Sequence, residues 1–124
     1  MGLPSVLVVD DEPHVVWVLR FGLEAEGFAT YTASDGIEAL EQVERHHPAL
    51  MVLDVMMPRM DGWTVLQELA KLPDDERPLV VMVTALASLR DRARATELGA
   101  SAYVPKPFDM NELITVLQGL QLAS

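Results

Sequence analysis

The chain has 124 residues, half of them apolar, a formal net charge of −10 and no cysteine. That is one domain's worth of chain with enough apolar mass for a core, and it leaves no disulfide framework or thiolate chemistry. It also lacks the clustered cations that a nucleic-acid duplex demands, so direct nucleic-acid binding is not expected.

The N-terminal stretch MGLPSVLVVDDE has neither a basic region nor a small-residue cleavage site, so no signal peptide is expected. The longest apolar runs, such as LVVMV at 79–83, are strand-sized, so membrane insertion is not expected either. Both features, with the missing cysteine, fit a cytoplasmic protein.

In chain order, SVLVVD (5–10) reads as a first strand and runs into three consecutive acids, Asp10, Asp11 and Glu12. Pro13 suits the first position of a helix that runs to Gly27, a C′ residue. Val15, Val18, Leu19, Gly22 and Leu23 make one face of that helix at helical spacing; Val16 and Trp17 lie off it, beside Arg20. They form either a widened buried stripe or an exposed patch for a partner.

FATYTA (28–33) is the second strand, and Asp35 with Glu38 opens the second helix as a capping box. The adjacent histidines of HHP (46–48) are expected to face solvent at its end. ALMVLD (49–54) is the third strand. Gly62 relieves a crowded turn at the start of a third helix reaching about Lys71, and Trp63 serves packing. LPDDERP (72–78) is a polar loop, and LVVMVT (79–84) the fourth strand. Ser88 with Asp91 opens a helix that Gly99 closes. Its Arg90, Arg92 and Arg94 form the only dense cation cluster, a solvated face or a partner-binding one. SAYVP (101–105) is the fifth strand, and Asp109 with Glu112 opens a last helix that has no Lys or Arg.

Strands that are apolar nearly throughout are covered on both faces, as in a parallel sheet. Strand–helix alternation five times over therefore predicts one α/β domain across 1–124, an open doubly wound sheet. Ligands bind beyond the carboxyl ends of such strands. There the sequence places Asp10 and Asp11 (strand one), Asp54 (strand three), Thr84 (strand four) and Lys106 (beyond strand five). Carboxylates crowded together stay ionised only beside a cation. An all-oxygen set selects Mg²⁺ or Mn²⁺ over zinc. A Lys and a Thr hydroxyl next to that cation suit a phosphoryl group, and no Ser or Cys is paired with a base, which leaves a carboxylate as nucleophile.

The blocks VLVVDDEP, LMVLDVMMPRMDG, VVMVTALA and ELGASAYVPKPFDMNEL resemble the response-regulator receiver domains of two-component signalling, over essentially the whole chain. The resemblance implies a flavodoxin-like, chemotaxis-regulator-like sheet of order 2-1-3-4-5. It makes Asp54 the phosphoacceptor, charged by a histidine kinase or a histidine phosphotransfer protein. Asp11, Asp54 and the backbone carbonyl of Met56 would ligate Mg²⁺, with Asp10 acting through water. Lys106 would pair with phosphoryl oxygens, across a cis Lys106–Pro107 bond. Thr84 and Tyr103 would be a switch pair acting on the fourth-helix, fifth-strand and fifth-helix face. Such a domain is not an enzyme in the ordinary sense, although it assists its own phosphorylation and slow dephosphorylation. Val16, Trp17 and Arg20 would help dock the phosphodonor. Met56 and Leu86 stand where the family flanks the approach of hydrolytic water.

Two features depart from receivers attached to winged-helix DNA-binding domains: the uncharged last helix, and Ser101–Ala102 where an Asp pair is common. They tilt towards a stand-alone or adaptor-type receiver with some downstream protein target. Three other readings compete. An aspartate-nucleophile phosphatase would carry D-x-D on its first strand, a flavin-binding domain would need a neutral phosphate loop where DDEPH stands, and a pseudo-receiver would not need the complete acid, Thr and Lys set.

Overall fold

The computed structural model describes residues 4–86 and 88–123, so the outer ends of the expected 1–124 span, and Ala87, lie outside the described residues. Five strands, β1 (Ser5–Val9), β2 (Ala29–Ala33), β3 (Leu50–Leu53), β4 (Leu79–Thr84) and β5 (Ala102–Pro105), alternate with five helices. These are α1 (Pro13–Ala25), α2 (Gly36–His46), α3 (Gly62–Leu69), α4 (Leu89–Glu97) and α5 (Met110–Ala123). All strand pairs are parallel, in the order β2-β1-β3-β4-β5. This is the doubly wound sheet that the strand–helix alternation predicts, in the flavodoxin-like order that the resemblance implies.

The unbroken apolar runs divide between the two sheet faces because successive side chains point to opposite sides. On one face Leu7, Val9, Met51, Leu53 and Met82 pack with Val65, Leu66 and Leu69 of α3. On the other, Val6, Val8, Val52, Val81 and Val83 pack with Leu19 and Leu23 of α1 and Leu113 and Leu117 of α5. Each fully buried aliphatic side chain contributes about 1.5–3 kcal/mol, which dwarfs any surface term.

The helix ends follow local chemistry. Asp35, Ser88 and Asp109 each accept a backbone N–H three residues on, at 2.9–3.1 Å. The Glu38 carboxylate accepts the Ser34 hydroxyl at 3.1 Å. Gly27 and Gly99 terminate α1 and α4 at φ 95° and 106°, values that favour glycine. α3 ends at Leu69, short of Lys71, and the 72–78 loop contains a 3₁₀ turn at Asp74–Glu76. His46 differs from expectation: it stacks on Tyr31, ring centroids 4.0 Å apart. Among the described residues no helix is long and apolar enough to cross a membrane.

Candidate functional site

β1 and β3 are neighbours in register, Val9 opposite Leu53, so the residues that follow them, Asp10 and Asp54, emerge side by side. The Asp54 N–H donates to the Val9 carbonyl at 3.1 Å, which carries the pairing one residue past the strands. Both carboxylates are buried, at 3 % and 6 % exposure. Lys106 reaches them from the end of β5, and its Nζ stands 2.8 Å from Asp10 Oδ2 and 2.8 Å from Asp54 Oδ2. β5 is held for this by the Lys106 N–H, which donates to the Thr84 carbonyl at 2.8 Å, and Lys106–Pro107 is cis as expected.

One ammonium shared by two buried carboxylates leaves a net negative pocket. Burial pushes the Asp10 carboxyl above its ordinary range, and the hydrogen bonds from Lys106 and the Glu12 N–H only partly oppose it. Burial also pulls on Lys106, in the downward direction, but its bonds to Asp10 and Asp54 outweigh that pull and its pKa stands above the ordinary lysine value. Two carboxylates raise one lysine, whereas Asp10 has only part of that lysine.

Carboxylate oxygens of Asp10, Asp11 and Glu12 lie within 4.8 Å of one another, with Asp11 and Glu12 exposed. This all-oxygen donor set beside an under-compensated buried pair fits a hard divalent cation. Sequence reasoning did not assign Glu12 to the site, although its place beside the two aspartates was visible. Asp54 lies outside that group of three and is linked to Asp10 by the Lys106 ammonium. Met56 follows two residues later with its side chain 66 % exposed.

Gly62 explains how the loop after β3 closes. Its N–H donates to the Val55 carbonyl at 2.8 Å, and a Cβ on it would lie 2.3 Å from the Asp54 carbonyl oxygen. Trp63 is 7 % exposed and packs as expected, and the Arg94 guanidinium lies 4.4 Å from its ring centroid. Asp61 caps α3 by accepting the Thr64 N–H at 2.9 Å, a role that the adjacent glycine obscured in the sequence.

Thr84 is fully buried, and its Oγ1 accepts the Leu86 N–H at 3.3 Å. The Leu86 carbonyl accepts the Tyr103 hydroxyl. The expected switch pair is therefore joined through one residue's backbone. Arg92 lies over the Tyr103 ring, 5.0 Å from its centroid. Two of the three α4 arginines thus cover aromatic rings rather than standing wholly in solvent.

Of the expected docking residues, Val16 packs partly against the α1–α5 core, whereas Trp17 is 63 % exposed. Trp17 stacks on Phe21, itself 67 % exposed, with centroids 5.4 Å apart. Phe21 went unnoticed in the sequence, yet it stands four residues on from Trp17, the helical spacing for a stacked pair. Arg20 pairs with Glu24 at 3.1 Å. A groove runs from Asp10 and Asp11 past Val16 to Trp17 and Arg20.

Known proteins resemble this chain in sequence and fold. A probable transcriptional regulator, ycf27, of Cyanophora paradoxa is 45 % identical over 94 % of this chain, but the match covers 47 % of that protein. The chain spans about half the length of the curated relatives it matches. The receiver domain of the Francisella response regulator 1452 superposes with a TM-score of 0.88 at 32 % identity, covering 95 % of this chain and 96 % of that one. The receiver domain of the sensor histidine kinase PA1611 from Pseudomonas aeruginosa PAO1 was solved with a magnesium ion coordinated in its active-site cleft. It gives 0.84 at 29 % identity, covering 95 % and 96 %. The family model described as response regulator receiver domain matches residues 6–118. Sheet order, acid pocket and this match agree, and the chain belongs to the response-regulator receiver family.

Proposed function

We propose that this receiver domain accepts a phosphoryl group on Asp54 from a phosphohistidine of a kinase or phosphotransfer protein. The observation that carries the proposal is the buried Asp10–Lys106–Asp54 bridge, with Asp11 and Glu12 at its mouth. An Asp54 carboxylate oxygen attacks phosphorus. The P–O bond forms as the P–N bond breaks, and its electron pair stays on the donor imidazole.

Asp10, Asp11 and Asp54, with the Met56 carbonyl, would hold the divalent cation, Mg²⁺ or Mn²⁺. When bound, that ion neutralises charge on the transferring group. Lys106 fixes the orientation of Asp54 and turns its donors to the phosphoryl oxygens. The new charge beside Thr84 then biases the Thr84–Leu86–Tyr103 connection and, through it, the α4–β5–α5 face.

The exposed Trp17–Phe21 pair and Arg20 suit docking of the donor protein, since Trp17 and Arg20 line the same groove as Asp10 and Asp11. This is the work of a cytoplasmic signalling domain rather than of a turnover enzyme. The relatives named as transcriptional regulators favour output through an effector region or partner, over the stand-alone form suggested by the last helix.

The test is incubation with acetyl phosphate, with and without Mg²⁺, followed by intact-mass measurement. Wild type should gain one phosphoryl group only with Mg²⁺, and Asp54→Asn none. Trp17→Ala should label normally with acetyl phosphate but slowly from the donor protein. Equal labelling of wild type and Asp54→Asn, or rapid turnover of phosphate monoesters without retained label, would defeat the proposal.

A further inference from the structure

Arg59 occupies backbone space that usually belongs to glycine. Its φ is 63°, where an L side chain costs about 1 kcal/mol or more. Such a cost persists when the side chain does something glycine cannot. Here Nε and Nη2 converge on one oxygen of Asp35, at 2.7 and 2.5 Å. Asp35 is 5 % exposed, and its other oxygen caps α2 through the Glu38 N–H at 2.9 Å. A single buried carboxylate therefore fixes both the first turn of α2 and the loop from 55 to 61.

The neighbouring backbone repeats the attachment. The Gly36 N–H donates to the Met60 carbonyl at 3.1 Å, and a Cβ on Gly36 would lie 2.6 Å from that oxygen. At its base the loop is closed by Gly62 against Val55. Asp54 sits at the root, where the Val55 N–H donates to Asp54 Oδ1 at 2.7 Å. The orientation of the Val55 peptide, and with it the direction of the Asp54 carboxylate, thus depends on a loop tied down at both ends.

We propose that Arg59, through Asp35, is a positioning residue that holds the 55–61 loop in the shape the Asp54 site requires. The inference rests on the phosphoacceptor function proposed above. The competing view is an ordinary surface ion pair, worth little because the Arg59 side chain is 59 % exposed. The two views differ in what Arg59 controls: loop shape, or only general stability.

The test uses Arg59→Gly, which removes the side chain and relieves the backbone, and Asp35→Asn, which keeps a competent helix cap but loses the charge. Both single variants and the double variant are measured three ways. These are Mg²⁺ affinity by fluorescence of Trp63 at the loop's end, the unfolding midpoint in urea, and amide exchange at Gly36. Each single variant should weaken Mg²⁺ binding about three- to tenfold, the double variant no further, and Gly36 exchange should accelerate in Arg59→Gly. The urea midpoint of Arg59→Gly should stay close to wild type. Affinities within twofold of wild type, or losses that add in the double variant, would overturn the proposal. If wild type itself binds no Mg²⁺, the phosphoacceptor function fails instead. Gly36 exchange then decides the clamp, with acceleration supporting it and an unchanged rate refuting it.

Discussion

The loops on either side of Asp54 are built differently. The one after β3 (55–61) is stitched by backbone bonds, Gly62 to Val55 and Gly36 to Met60, and by the Arg59–Asp35 side-chain pair. The one after β4 has, among the described residues, a 3.3 Å bond from the Leu86 N–H to Thr84 and the Tyr103 hydroxyl on the Leu86 carbonyl. Backbone stitches with glycines in close approach leave one arrangement, whereas an aromatic side chain can leave its acceptor by rotating. The Asp54 side is thus a fixed frame, and the Thr84 side is the part able to respond. On the proposed function, a phosphoryl group on Asp54 would touch both, and charge on one loop would be read out by the other.

The largest expected effect comes from breaking the frame. Gly62→Ala places a methyl group against the Asp54 carbonyl, where only backbone movement makes room, and should cost about 3 kcal/mol in urea unfolding. It should also weaken Mg²⁺ binding. Full stability in this variant would show that the frame is softer than its contacts suggest.

Next in size is the lifetime of the phosphorylated state. Met56 is exposed beside the site, and Leu86 packs partly into the core near Tyr103, and neither can orient water. Replacing them with polar groups, Met56→Asn with Leu86→Glu, should speed loss of the label about ten- to a hundredfold once the donor is removed. Decay no faster than wild type would remove the apolar gate from the account.

Smaller still is the release of the responsive loop. Tyr103→Phe removes the hydroxyl that holds the Leu86 carbonyl, at about 1 kcal/mol. The Tyr103 phenol is raised above its ordinary value of about 10, first by burial and then by Asp91. Because the folded value is the higher one, its contribution is complete below about pH 10 and is lost as pH rises through the folded value. Alkaline titration of wild type should therefore show a loss of stability that Tyr103→Phe lacks. Parallel curves for the two proteins would contradict this.

Much of this was legible in the sequence because it is periodic or local. Five apolar runs announce a parallel sheet covered on both faces, and Asp35, Ser88, Asp109, Gly27 and Gly99 mark helix ends by rules that act within one turn. Asp10, Asp54, Thr84 and Lys106 could be placed together because each stands at the same end of its strand. The Arg59–Asp35 pair was not legible, since its partners are 24 residues apart and no pattern links an unusual φ to a distant carboxylate. Asp35 had already been explained as a cap, which concealed its second oxygen. The Arg92–Tyr103 and Tyr31–His46 contacts were hidden for the same reason, because they arise from packing between elements rather than from order along one.

The most direct test of the central claim is to find which carboxylate receives the phosphoryl group. The protein is charged with a small phosphodonor in Mg²⁺, the acyl phosphate is reduced with borohydride, and the peptides are mapped by mass. The account predicts a reduced residue at Asp54 alone, with Asp10 and Asp11 unmodified. Reduction at Asp10 or Asp11, or none at Asp54 in a protein that has gained phosphate, would contradict it.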